Sequence, residues 1–129
     1  MQWRVMMIDD DESCHVYHQI MIEQTGIDIA VSNFSNAREA LGTLQRAILD
    51  DPSEALAHFI LLDINMPEMD GFEFLEEFHT LEFGEFIPKI YMVSHSEGSE
   101  EKKKALGFKH VLGFERKFLS ADFFVQLFK

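Results

Sequence analysis

The sequence predicts an α/β fold: a doubly wound five-stranded parallel sheet with helices on both faces. Three observations lead there. Short apolar runs alternate strictly with amphipathic stretches, the pattern of parallel strands joined by crossover helices. The chain has 129 residues, enough for one domain with a sizeable core and too few for a second. Hydrophobic residues make up 47% of it and thirteen are Phe, so it has the material for a core and does not read as disordered.

The elements follow in order. Residues 3–8, WRVMMI, read as a buried strand that ends in acids. Residues 13–26 read as a helix with Val16, Ile20 and Met21 inward and Gly26 as its stop. Residues 27–34 are a second strand. Residues 35–49 are a helix capped by Ser35 or Asn36, with Ala40, Leu44 and Ala47 or Ile48 inward. DDPSEALAH is a connector with room for an extra helical turn after Pro52, longer than expected between a helix and a strand. Residues 58–62, HFILL, are a third strand, and GFEFLEEFHTL a third helix presenting Phe72, Leu75 and Phe78 or His79 on one face. A fourth strand spans 87–94, SEEKKKALGF is a fourth helix, and 110–114 a fifth strand. SADFFVQLF closes the chain as a short helix capped by Ser120.

Charge and composition exclude several function classes. Net charge is −12, and the densest basic cluster is Lys102 to Lys104, so nucleic-acid binding, which begins with phosphate neutralisation, is not expected. No apolar run approaches the ~20 residues of a membrane span, so no membrane role is expected. The N-terminus turns acidic too soon for a signal peptide. The single Cys14 excludes an internal disulfide and suits a reducing cytoplasm.

In a doubly wound parallel sheet the reactive crevice lies at the carboxyl ends of the strands. Strand one here ends in Asp9, Asp10 and Asp11, strand three in Asp63 and strand four in Ser94; Lys117 follows strand five. Clustered carboxylates repel one another and need a cation. Oxygen ligands without His or Cys favour Mg2+. Lys117 supplies a point charge for an anion and Ser94 a hydroxyl donor. Asp63 is then a candidate nucleophile, since Asp carboxylates form aspartyl-phosphate intermediates. The set suits acceptance of a phosphoryl group and lacks pocket-forming apparatus for an organic substrate.

Each residue taken alone has a plainer reading. One of Asp9 to Asp11 serves as a helix cap, Ser94 as a strand-end residue, Lys117 as a surface lysine and Phe114 as a core aromatic. Met66 and Met69 read as packing in the loop, and Cys14 as an ordinary helix residue. His15, His18, His58, His79 and His110 form no metal-ligand pattern. The conjunction of four strand ends carries the functional reading.

The stretch LLDINMPEMDGFEFL, with IDDD after the first strand, VS at the end of the fourth and FERK after the fifth, resembles the receiver domain of bacterial two-component response regulators. The resemblance runs essentially end to end. It implies a flavodoxin-like strand order 2-1-3-4-5 and a single receiver with no output domain in the chain. Asp63 is by this resemblance the phosphorylated residue, with Mg2+ held by Asp9, Asp10, Asp63 and the backbone carbonyl of Asn65. Ser94 would bind the phosphoryl oxygen, Phe114 would be the rotating aromatic, and Lys117 would pair with the phosphate. The implied donor is a histidine kinase or histidine phosphotransfer protein. A downstream protein target would read the face built from the fourth helix, fifth strand and fifth helix. The only catalysis implied is phosphoryl transfer to, and hydrolysis from, its own Asp.

Two departures from the family pattern stand beside the active residues. Phe118 follows Lys117 where the family usually has Pro, often after a cis bond. A cis bond before any other residue costs roughly 2.5–4 kcal/mol, which leaves the backbone path here open. His95 follows Ser94 where a small residue is usual, and is a candidate modulator of access. Two rival functions remain: a phosphorylation-independent receiver acting as an interaction module, and a Mg2+-dependent phosphohydrolase. The second is less favoured, because no substrate-covering cap or second DxD-type acid accompanies Asp63.

Overall fold

The computed structural model describes residues 2–96 and 98–129. Its five strands are β1 (Trp3–Ile8), β2 (Ile29–Phe34), β3 (Phe59–Asp63), β4 (Lys89–Ser94) and β5 (Val111–Arg116). Six helices connect or follow them: α1 (Glu12–Thr25), α2 (Ala37–Leu49), α3 (Pro52–Ala55), α4 (Gly71–Phe78), α5 (Ser99–Leu106) and α6 (Ala121–Phe128). All strands pair in parallel in the order β2-β1-β3-β4-β5, the expected doubly wound arrangement. The connector at Pro52 does contain a helical turn, α3.

Alternation along the strands sorts the core into two layers, because successive side chains point to opposite faces. Met6, Ile8, Ile60, Leu62, Ile90 and Met92 face α2, α4 and α5 together with Leu44, Phe74, Leu75 and Phe78. Val5, Met7, Leu61 and Val93 face α1 and α6 with Ile22, Phe124 and Phe128. Each fully buried Leu, Ile or Phe contributes roughly 1.5–3 kcal/mol relative to exposure, so the central strands dominate the driving force for folding. Met66 and Met69 are buried in the first of these layers, as loop packing.

The expected face of α1 is wrong. Val16 and Ile20 are 55% and 47% exposed, while Cys14, His15, His18 and Ile22 are buried. Cys14, His18 and Ile22 form the i, i+4, i+8 stripe, and with that stripe inward both His18 nitrogens find partners and His15 Nε2 meets the Asp9 carbonyl. Val16, Tyr17 and Ile20 therefore lie on the surface, next to a 44%-exposed Phe118 whose ring centroid is 5.1 Å from that of Tyr17. The third helix of the sequence reading, α4, buries Phe72, Leu75 and Phe78 as expected, with His79 exposed.

The chain from Asp63 to α4 folds back on itself. Gly71 donates its N–H to the Ile64 carbonyl at 2.8 Å, and Asp70 and Glu73 close a reciprocal capping box. Glu68 adopts φ +68° at the apex, a left-handed conformation uncommon for a residue other than Gly. A Cβ on Gly71 would lie 2.6 Å from the Asp63 carbonyl oxygen and 2.9 Å from the Ile64 Cα, so only glycine permits this approach. Gly71→Ala is accordingly expected to destabilise the domain by about 1–3 kcal/mol in urea unfolding, the range for overpacking against backbone. An unchanged midpoint would show that the loop relaxes freely.

Candidate functional site

The carboxyl ends of β1, β3, β4 and β5 bring the candidate residues to one edge of the sheet. Asp9 follows β1 directly and is held on three sides. Its N–H donates to the Phe34 carbonyl at 3.0 Å, its Oδ1 accepts the Asp11 N–H at 2.9 Å, and its carbonyl meets His15 Nε2 at 2.7 Å. Asp11 caps α1, accepting the Ser13 N–H at 3.0 Å and the Ser13 hydroxyl at 2.6 Å. The Ser13 bonds lower its carboxyl pKa. Asp10, between them, is exposed.

Asp63 is the last residue of β3 and is 5% exposed. Lys117 reaches the same spot from the end of β5, its Nζ 2.6 Å from Asp9 Oδ2 and 3.3 Å from Asp63 Oδ1. Burial opposes the charge on this lysine, but the Asp9 hydrogen bond and the Asp63 and Asp9 charges outweigh it and leave its pKa raised. Asp63 is pushed up to about 6, first by burial and then by the Asp9 charge, with Lys117 pulling the other way. Ser94 is buried, and its hydroxyl accepts the Ser96 N–H at 3.1 Å. Its carbonyl accepts the Lys117 N–H at 2.8 Å, which ties the β4 and β5 ends together.

Asp9, Asp10 and Asp63 each offer a carboxylate oxygen, all within 4.8 Å of one another. The donors are hard oxygens. The nearby thiol of Cys14 is pushed up to about 12 by burial and the Asp9 charge, and so stays protonated. This donor set suits a hard divalent cation such as Mg2+. Asn65 lies two residues beyond Asp63 with its side chain exposed.

The remaining candidates lie around this group. Phe114 pairs with Met92 across β4 and β5 and is half-buried against the larger core layer. It lines a cavity of about 270 Å³ with Ser96, Lys102 and Arg116. His95 is exposed, its ring edge-on to Phe118 at 5.6 Å. The Lys117–Phe118 peptide bond is cis. Sequence reasoning overlooked His15 and His18, which support this edge from inside α1. The signal was the four-residue spacing of Cys14, His18 and Ile22, masked by the more apolar Val16 and Ile20.

Comparison with known proteins gives this geometry a family. The profile of the response regulator receiver domain matches residues 5–118. The chain belongs to that family. An uncharacterized 14.6 kDa protein of Leptolyngbya boryana is 32% identical over 105 residues, covering 81% of this chain and 72% of that protein. The cell cycle response regulator CtrA of Brucella ovis is 28% identical over 105 residues; the match covers 81% of this receiver but only 40% of CtrA. Among solved structures, a two-component response regulator from Cytophaga hutchinsonii superposes with a TM-score of 0.83 at 21% identity, covering 99% of this chain and 96% of that one. The chemotaxis protein CheY4 of Vibrio cholerae gives 0.73 at 22% identity, covering 99% and 97%. At these identities the structures establish the fold. Receiver domains are signalling modules rather than conventional enzymes, and among the described residues no helix is long and apolar enough to cross a membrane.

The raised Asp63 carboxyl makes a stability prediction. An acid whose folded pKa lies above its unfolded value costs stability as it ionises, from about pH 4 to about pH 6 here. Asp63→Asn, measured by urea unfolding without divalent cations, is expected to exceed wild type by on the order of 1–3 kcal/mol at pH 7. The gain should shrink towards zero near pH 4. A variant less stable than wild type at pH 7 would mean that its pairing with Lys117 outweighs the burial of its charge.

Proposed function

We propose that this receiver is a phosphorylation switch in which Asp63 takes a phosphoryl group from a phosphohistidine of a histidine kinase or histidine phosphotransfer protein. The observation that carries this reading is a buried carboxylate, Asp63, paired with the Lys117 ammonium inside an all-oxygen acidic cluster. In the transfer, an Asp63 carboxylate oxygen forms a bond to phosphorus. The phosphorus–nitrogen bond breaks, and its electron pair leaves on the donor imidazole. Ionised Asp63 needs no general base. Mg2+ held by Asp9, Asp10, Asp63 and the Asn65 carbonyl would neutralise charge on the transferred group. Lys117 pairs with the new phosphoryl oxygens and Ser94 donates its hydroxyl to them.

Once phosphorylated, the pull on Ser94 and Lys117 draws the β4–α5 loop inward and favours an inward Phe114. That shifts the two-state face formed by α5, β5 and α6 and changes its contacts with a downstream protein. A donor must bring its phosphohistidine to a carboxylate that is only 5% exposed. The exposed Tyr17 and Phe118, in ring contact next to Lys117, supply apolar contact for it. We assign the domain to the cytoplasm.

Intact-protein mass after incubation with acetyl phosphate and Mg2+ tests the reading. Wild type should gain one hydroxylamine-sensitive phosphoryl group and Asp63→Asn none. No adduct, together with no spectral response to beryllofluoride, would instead support the phosphorylation-independent interaction module. His95, standing against Phe118 at the mouth, limits access of water to the acyl phosphate. His95→Ala should speed dephosphorylation about threefold or more, since water exclusion protects such intermediates. An unchanged rate would remove His95 from this role.

A further inference from the structure

His18 is a buried residue that the phosphoryl chemistry leaves unused, yet it reaches the segment carrying Lys117. It is 2% exposed, and its Nε2 accepts the Leu119 N–H at 2.9 Å across 101 residues of sequence. Burial holds its pKa down at about 4, so the ring is neutral and its one proton resides on Nδ1. Nδ1 lies 3.5 Å from the Cys14 sulfur, the only partner within reach on that side among the described residues. The rings of Tyr17, Phe118 and Phe124 enclose the imidazole at 5.9, 6.0 and 6.0 Å. Tautomer and ring plane are therefore both fixed.

The Lys117–Leu119 segment is thus held at two points. On one side the Lys117 N–H donates to the Ser94 carbonyl at the end of β4; on the other the Leu119 N–H donates to His18 on α1. Between these anchors the Lys117 side chain enters the acidic cluster. We propose that His18 is a positioning residue for Lys117, fixing through the Leu119 N–H the turn that aims the ammonium at Asp9 and Asp63. The inference rests on the reading of Asp63 as phosphoacceptor. It assigns to α1 a role in the transfer step that its surface contacts do not supply.

A histidine that merely fills the core would also be buried and bonded, so the test must separate the two roles. Rates of phosphorylation by acetyl phosphate with Mg2+ are compared for wild type, His18→Leu, His18→Gln, Lys117→Ala and the His18→Leu/Lys117→Ala double variant. His18→Leu removes the acceptor while keeping apolar bulk, and is expected to slow phosphorylation about tenfold. His18→Gln, whose side-chain oxygen can accept the same N–H, should recover most of the rate. In the Lys117→Ala background His18→Leu should add less than about twofold, because residues acting through one another are non-additive. An equal loss in both backgrounds, or equal loss in the Leu and Gln variants, would overturn the proposal.

If wild type neither takes a phosphoryl group nor responds to beryllofluoride, the reading of Asp63 fails, and a second measurement still judges His18. The proton–nitrogen correlation of the buried Lys117 ammonium should be seen in wild type and His18→Gln and lost in His18→Leu. Its survival in His18→Leu would overturn the proposal. Should His18→Leu not fold, His18→Asn, one bond too short to reach Leu119, takes its place in both measurements.

Discussion

One buried ammonium holds the working edge of this receiver together. Asp9 and Asp63 both lie out of solvent, and two like charges ~4 Å apart repel by about 4 kcal/mol at the effective dielectric of a protein surface region. Lys117 offsets that repulsion by touching both. Its own burial is tolerable for the same reason, since an ammonium left unpaired at such depth would shed its proton. The strand order follows from this constraint as much as from hydrophobic pattern. Asp9 and Asp63 come from neighbouring strands, β1 and β3, while Lys117 must arrive from beyond β4. The Ser94 carbonyl, taking the Lys117 N–H, marks where it crosses.

Around that pairing, the loops are shaped by local chemistry rather than by the core. Asp11 spends its carboxylate on capping α1, which leaves Asp9 and Asp10 as the acids facing Asp63. Asp70 and Glu73 cap α4 reciprocally, and Gly71 lets that helix start against the backbone of Asp63 itself. The candidate nucleophile therefore sits between a strand end and a helix start, with little room to drift. The insertion at α3 is tied down independently: Arg4 donates to the Leu56 and Ser53 carbonyls at 2.9 and 2.7 Å. That anchorage lies at the opposite end of β1 from Asp9.

Much of this was legible in the sequence, and the misses have physical causes. Strict alternation identified the sheet, and the expected helical turn after Pro52 is present, with the proline in its first turn. Boundaries shifted where strand pairing continued past the apolar run: β3 includes Asp63 and β5 runs on to Arg116. The face of α1 was misread because hydrophobicity ranks Val16 and Ile20 above histidine. The deciding contacts are those of His15 Nε2 with the Asp9 carbonyl and of His18 Nε2 with the Leu119 N–H. No local pattern encodes a bond between residues 101 apart. The backbone at Phe118 was left open by the sequence for a similar reason, since its cis bond depends on tertiary surroundings.

The placement of the single tryptophan has a consequence for anyone who studies this receiver optically. Trp3 opens β1, so about 20 Å of strand separates it from the acids at the other end. Its ring lies 5.0 Å from His58 and 5.3 Å from Phe128 of α6. Intrinsic emission thus has no direct view of an ion or a phosphoryl group at Asp63. A change in that emission would instead register how the last turn of α6 rests on the sheet, making the fluorophore a remote gauge of the terminal helix.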